Sequence, residues 1–301
     1  MSFLPPGAQI AFLILLFFVG LIGRRLGWLA PPHAAKMLQL VMMVGLPALF
    51  LADVSRVPLD RDTLLLPAIT MGIILVTFGI GVVAGRSMQL PRASFGAFVL
   101  CVMALNNGFI FPFVLAVWGR EAFAMVALVD LGNALMLVTL FYAFAAAYGG
   151  HAADLRSIVK RTVTFPPLWA LGAALTLNVS GYRLPELPTQ VLGTVGRLLV
   201  LLVILALGIL FDPKRVGSRQ AILAVGLRIG LGLALGFIAA ELFALEGLVR
   251  KALIIGVAAP IGFNVVVIAN REHLDRELAA SAASLSVLLG LVYVPLLLWL
   301  L

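Results

Sequence analysis

The chain has 301 residues, 63% hydrophobic and only 11% charged, with a net charge of +8 and a mean hydropathy of +1.16. Soluble domains are nearer half apolar and a quarter charged, so these values exclude a soluble globular protein. They also argue against a nucleic-acid partner, because the basic residues sit in short loops between apolar runs, the pattern of a membrane protein with a positive inner side.

At about 20 apolar residues per crossing, the sequence predicts an all-α polytopic membrane protein with ten spans. They fall near residues 8–23, 34–52 (with Pro47), 64–85, 93–118, 121–148, 165–180, 189–211, 221–243, 249–269 and 274–301. Residues 1–9 carry no basic side chain, and Arg24 and Arg25 follow the first span, the reverse of a secretory signal peptide. Lys and Arg divide between alternate loops thirteen to six, with Arg197 and Arg228 left inside spans. The richer set is expected on the cytoplasmic side, which puts both termini outside. A polar connection at 149–161 separates residues 1–148 from 162–301. Five spans on each side force the two halves into opposite orientations, the arrangement of inverted-repeat carriers.

The fourth and ninth spans are interrupted. Asn106-Asn107-Gly108-Phe109-Ile110-Phe111-Pro112 breaks the first, and Ala259-Pro260-Ile261-Gly262-Phe263-Asn264 breaks the second. Proline removes a helix hydrogen bond and glycine lets the backbone leave helical geometry. Irregular backbone at membrane depth survives only where protein or a wet cavity surrounds it. Paired interruptions in two halves point to a binding site. The amides of Asn106, Asn107 and Asn264, with free N–H groups at half-helix starts near Gly108 and Gly262, suit an anionic group. Pro112 is expected in the first turn of such a half-helix. The plainer alternative is a pair of proline kinks with asparagines bonded to neighbouring helices.

Asp130 lies nine residues into the fifth span, roughly 13 Å deep at about 1.5 Å per residue. An ionisable group at that depth is functional by default. Asn133, one turn on, shares its face. The pair is the candidate for a coupling ion, H+ or Na+, and otherwise a structural partner in the bundle. Arg197 either snorkels to the outer interface or serves as a countercharge, and Arg228 is expected at the interface. Ser281, Ser284 and Ser286 could face a cation or water path, but read better as small packing residues of the tenth span. His33, His151 and His273 fall in loops with no metal-site spacing. No metalloprotease, phosphate-loop or serine-hydrolase motif is present, so neither an enzyme nor a resident cofactor is expected.

Three stretches resemble one family. Gly45-Leu46-Pro47-Ala48-Leu49-Phe50 looks like its leucine-proline motif. Asn107 to Pro112 with Trp118-Gly119-Arg120-Glu121-Ala122 looks like its fourth-span motif. Ala259-Pro260 to Ala269, then Asp275 to Ala280 and Pro295, looks like its C-terminal signature. The family is the auxin efflux carriers, whose bacterial members include carriers of malonate and malate. The resemblance covers nearly the whole chain. It implies two inverted repeats of five helices, with helices 4 and 9 crossing near mid-membrane, as in bile acid sodium symporters. It implies a scaffold of helices 1, 2, 6 and 7, which is also a homodimer surface, and a moving core of helices 3–5 and 8–10. Plant members bind a carboxylate at asparagines near the crossing, which maps here to Asn107 and Asn264. Phe111 stands where the family more often has glycine, and the central loop is shorter than in many plant members. The resulting expectation is a secondary carrier of small organic anions in a bacterial cytoplasmic membrane, working by elevator-type alternating access. A sodium-coupled symporter and a membrane ligand sensor are the alternatives.

Overall fold

Prolines and short polar side chains open the helices of this chain, and long Ala, Leu and Val runs extend them. The computed structural model describes residues 5–149, 165–211 and 217–301. Its helices are α1 (Pro6–Arg25), α2 (Pro31–Arg56), α3 (Arg61–Ser87), α4 (Arg92–Met103), α5 (Asn107–Val117) and α6 (Gly119–Gly149). They continue with α7 (Pro166–Val179), α8 (Glu186–Leu210), α9 (Arg219–Leu242), α10 (Gly247–Val257), α11 (Asn264–Arg271) and α12 (Arg276–Leu300). Among the described residues there is no strand. Proline occupies the first turn of α1, α2 and α7, where its missing N–H costs nothing. Asp60, Ser218 and Asp275 cap α3, α9 and α12 by accepting from the amides of Thr63, Ala221 and Leu278.

Among the described residues, eight helical stretches are long and apolar enough to cross a bilayer: α1, α2, α3, α4 with α5, α6, α8, α9 and α12. The chain is a multi-pass, all-helical membrane protein. The sixth and ninth expected spans differ from the rest. α7 has 14 residues, and the ninth span is two separate helices, α10 and α11, of 11 and 8 residues. The connection expected at 149–161 lies, beyond Gly149, outside the described residues, as do residues 212–215.

The helices pack as two groups. α1, α2, α7 and α8 contact one another, while α3–α6 and α9–α12 form the second set. The groups meet mainly where α5 touches α1 and α8, and where α6 touches α2. Within the first group α1 and α8 approach backbone to backbone. A Cβ on Gly20 would run into the Leu205 carbonyl, and one on Gly208 into that of Phe17. Close approach through small residues is how helices associate where lipid removes the hydrophobic drive. Among these helices the stretch that carries α4 and α5 lies deepest, with 83% of its most apolar 18 residues buried against 28% for α1. The broken helix is therefore the centre of the bundle and α1 lies at its edge.

Candidate functional site

The first break spans residues 104–106. Asn106 caps α5, its Oδ1 accepting from the Phe109 amide at 3.2 Å. Asn107 is the first residue of α5 and is almost wholly buried. One expectation is corrected here. Pro112 does not open the second half-helix but lies inside α5, a turn beyond its start. Its effect falls on Gly108, whose carbonyl loses the N–H that helix geometry would supply from position 112.

The second break spans residues 258–263 and is held from outside. Ser286 on α12 accepts from the Ile261 amide at 3.0 Å and donates to the Ala283 carbonyl at 2.9 Å. The Tyr293 hydroxyl donates to the Ala258 carbonyl at 2.7 Å. Sequence reasoning had Ser286 as a packing residue and passed over Tyr293. The available signal was a phenol inside an apolar span, since a buried hydroxyl needs a partner.

The two breaks lie against each other. Asn106 Nδ2 reaches the Ile261 carbonyl at 3.5 Å. A Cβ on Gly262 would sit 2.9 Å from the Leu105 carbonyl and closer still to Asn264 Oδ1, so this approach requires glycine. Asp130 on α6 joins the junction. Its Oδ1 accepts from Asn107 Nδ2 at 3.2 Å and from Asn133 Nδ2 at 2.9 Å. A carboxylate draws the NH2 ends of both amides and so turns their oxygens away. Among the described residues those oxygens, Asn107 Oδ1 and Asn133 Oδ1, have no partner, and neither has Asn264 Oδ1.

A cavity of about 160 Å³ opens beside this junction, between the two helix groups. One wall is polar and comes from the second group: Asn106, Asn107, Gly108, Asp130, Asn133, Gly262 and Asn264. The facing wall is apolar and comes from the first, through Val41, Leu46, Phe50, Leu171, Val203 and Leu207. Pro112 and Pro260 are buried behind the lining. α2 and α6 each relax into one π-helical turn, Val41–Gly45 and Leu137–Phe141, and Val41, Met42 and Leu137 of those turns face the cavity. Such turns recur at functional sites.

Two arginines depart from or refine expectation. Arg228 is not interfacial. It is fully buried on α9, with Nη1 donating to the Val102 carbonyl at 3.2 Å and Nη2 to the Val257 carbonyl. Its position nine residues into α9 hid this, because the helix start could not be read from composition. Arg197 lies in the electrostatic neighbourhood of Asp53, with Arg56 and Arg120, and does not line the cavity. Asp53 was missed altogether. Its buried carboxylate receives Arg120 Nε at 2.6 Å and so ties α2 to the start of α6 across the two groups.

A bundle of membrane-crossing helices with two interrupted members meeting beside a small polar cavity has the build of a membrane transporter. The model of the membrane transport protein family matches residues 8–299, and the chain belongs to that family, the auxin efflux carriers that its motifs resemble. It is 26% identical to an "uncharacterized transporter" of Methanothermobacter thermautotrophicus, over 98% of each chain. It is 25% identical to a second "uncharacterized transporter", from Methanocaldococcus jannaschii, over 98% of this chain and 99% of the relative.

Proposed function

We propose that this transporter is a secondary carrier of small organic anions, carboxylates above all. The observation that supports this most is the convergence of two half-helix N-termini, α5 and α11, with the amides of Asn107 and Asn264 on one cavity wall. Helix N-termini carry partial positive charge and offer N–H donors, which suits a carboxylate without a full buried cation. Asn106, Gly108 and Gly262 shape the backbone around that pocket, and Pro112 and Pro260 stiffen it from behind. The cavity is smaller than the roughly 300–1,000 Å³ of drug-sized sites, which favours a small anion of the malonate kind over a bulky one.

Asp130 gives this reading its energetics. A carboxylate that already binds Asn107 repels an incoming anion unless it is neutralised. Binding of a proton, or of Na+, at Asp130 and Asn133 would therefore favour anion binding, and that linkage is what couples the two fluxes. Sodium coupling is the second reading. The unpartnered amide oxygens of Asn107, Asn133 and Asn264, on residues that line the same cavity as Asp130, favour it, since hard cations take oxygen ligands.

The transport cycle in this proposal is alternating access, with α3–α6 and α9–α12 moving against α1, α2, α7 and α8. The chain then crosses the membrane ten times as two inverted repeats, residues 1–148 and 162–301. α7 and the α10–α11 pair supply the crossings that are too short to count alone. The distribution of Lys and Arg supports placement in a bacterial cytoplasmic membrane with both termini outside. The first helix group is the proposed homodimer surface.

The test is thermal stability of the purified protein against a carboxylate panel, with and without sodium, at two pH values. A bound ligand must raise stability in proportion to occupancy. Stabilisation that disappears in Asn107→Ala is the expected result. No response to any carboxylate would sink the anion reading. Binding without flux in sealed vesicles would make the protein a sensor instead.

A further inference from the structure

The junction presents four helix ends, and only two of them suit an anion. The N-termini of α5 and α11 line the cavity, while the C-termini of α4 and α10 end at the same two breaks. A helix C-terminus carries about half a negative charge, and its last carbonyls have no partner within the helix. Had α4 and α10 continued, the amides of Asn106 and Ile261 would have paired with the carbonyls of Val102 and Val257. α4 ends before Asn106, and the Ile261 amide goes to Ser286. Both carbonyls instead receive the guanidinium of Arg228.

Arg228 is completely buried, and among the described residues no Asp or Glu pairs with it. An unpaired buried cation is costly unless something else balances it. Two half-charges of negative sign meet one full positive charge, so the balance is near neutral. The site is also built to admit the side chain. Gly232 lies one turn along α9, and a Cβ there would meet both the Val257 carbonyl and, at 2.6 Å, Arg228 Nη2. Arg228 does not line the cavity, so it acts through the helices it caps.

We infer that Arg228 is the fixed counter-charge of the junction. Its guanidinium cancels the negative ends of both interrupted helices and leaves the two N-termini as the field an anion meets. It is a positioning residue for anion affinity, and this inference rests on the anion reading above. An arginine suits the task because its planar fork reaches two acceptors at once and it stays charged when buried.

The test uses Arg228→Lys, Arg228→Gln and Arg228→Ala in the full-length purified protein. Stability is read first, without any carboxylate. R228A should melt lower than wild type by about 5 °C, in proportion to two lost buried hydrogen bonds. Millimolar guanidinium chloride should restore that loss, whereas choline chloride should not, and wild type should not respond. Affinity for malonate and for indole-acetate is read next. R228K keeps the charge and should bind within about threefold of wild type, whereas R228Q keeps donors without the charge and should bind about tenfold more weakly. Wild-type affinity in R228Q would overturn the inference, because it would leave only a structural role. So would R228A gaining no more from guanidinium than wild type does. If wild type answers to no carboxylate, the anion reading falls, and the guanidinium arm still decides the counter-charge.

Discussion

The two breaks do the same job by different means. The first is three residues long and carries its own cap: Asn106 caps the helix it precedes, and the surrounding stretch is the most deeply buried of the membrane-length helices among the described residues. The second is six residues long, and its internal polar groups are claimed by another helix, through Ser286 and Tyr293 of α12. The first break thus starts its second half-helix with a cap from its own sequence, although Asn133 of α6 also reaches its Leu105 carbonyl at 3.5 Å, whereas the second depends on the tertiary structure for its internal bonds. Local caps survive displacement of their neighbours, and external pins do not. The second break is therefore the one whose shape depends on where α12 sits.

Asn107→Ala should have the largest effect. It removes a cavity amide and one of the two donors to Asp130. A hydrogen bond to a charged group is worth about 1.5–3 kcal/mol, so carboxylate affinity should fall by roughly 10- to 100-fold. Asn264→Ala, on the externally held break, should weaken binding less, because its amide reaches no carboxylate. Equal losses in a calorimetric titration would erase the distinction between the two breaks. Next come Ser286→Ala and Tyr293→Phe, which strip partners from the second break. Each leaves a buried backbone group unpaired, at about 1–3 kcal/mol, and the thermal midpoint should drop by several degrees. Their joint effect should be less than additive, because both release the same segment. Full additivity would mean that the segment does not move as a unit. Asn106→Ala should cost about 1 kcal/mol, the usual value of a cap, and Asn106→Asp or Asn106→Ser should recover most of it. Pro112→Ala should change least, restoring the N–H that Gly108 lacks and shifting stability by under about 1 kcal/mol.

This asymmetry also marks what the sequence could tell. Asn106 and Gly108 announced the first break from local chemistry alone, and Pro260 with Gly262 announced the second. Asp130 and Asn133 were legible because a carboxylate deep in an apolar run has few explanations. The place of Pro112 differs from expectation because capping by Asn106 starts the second half-helix at Asn107 and so leaves the proline inside it. Partners in space were not legible. Nothing in the Leu-Val pattern of α12 says that Ser286 faces Ile261, and nothing around Arg228 says that two helix ends wait for it. Periodicity gives a residue its face, but the neighbour on that face comes from packing.

The apolar wall opposite the polar one has its own consequence. Val41, Leu46, Phe50, Val203 and Leu207 offer a cargo no hydrogen bond to lose. In the proposed cycle every directional contact of the cargo would belong to the other helix group, so a shift between the groups would strip nothing from it and meet only dispersion contacts, each weak and quickly replaced by the next. Such a surface behaves as a lubricant. In the proposed cycle the drag on the moving group is then set less by what it carries than by polar ties between the groups, such as the bond between Asp53 and Arg120.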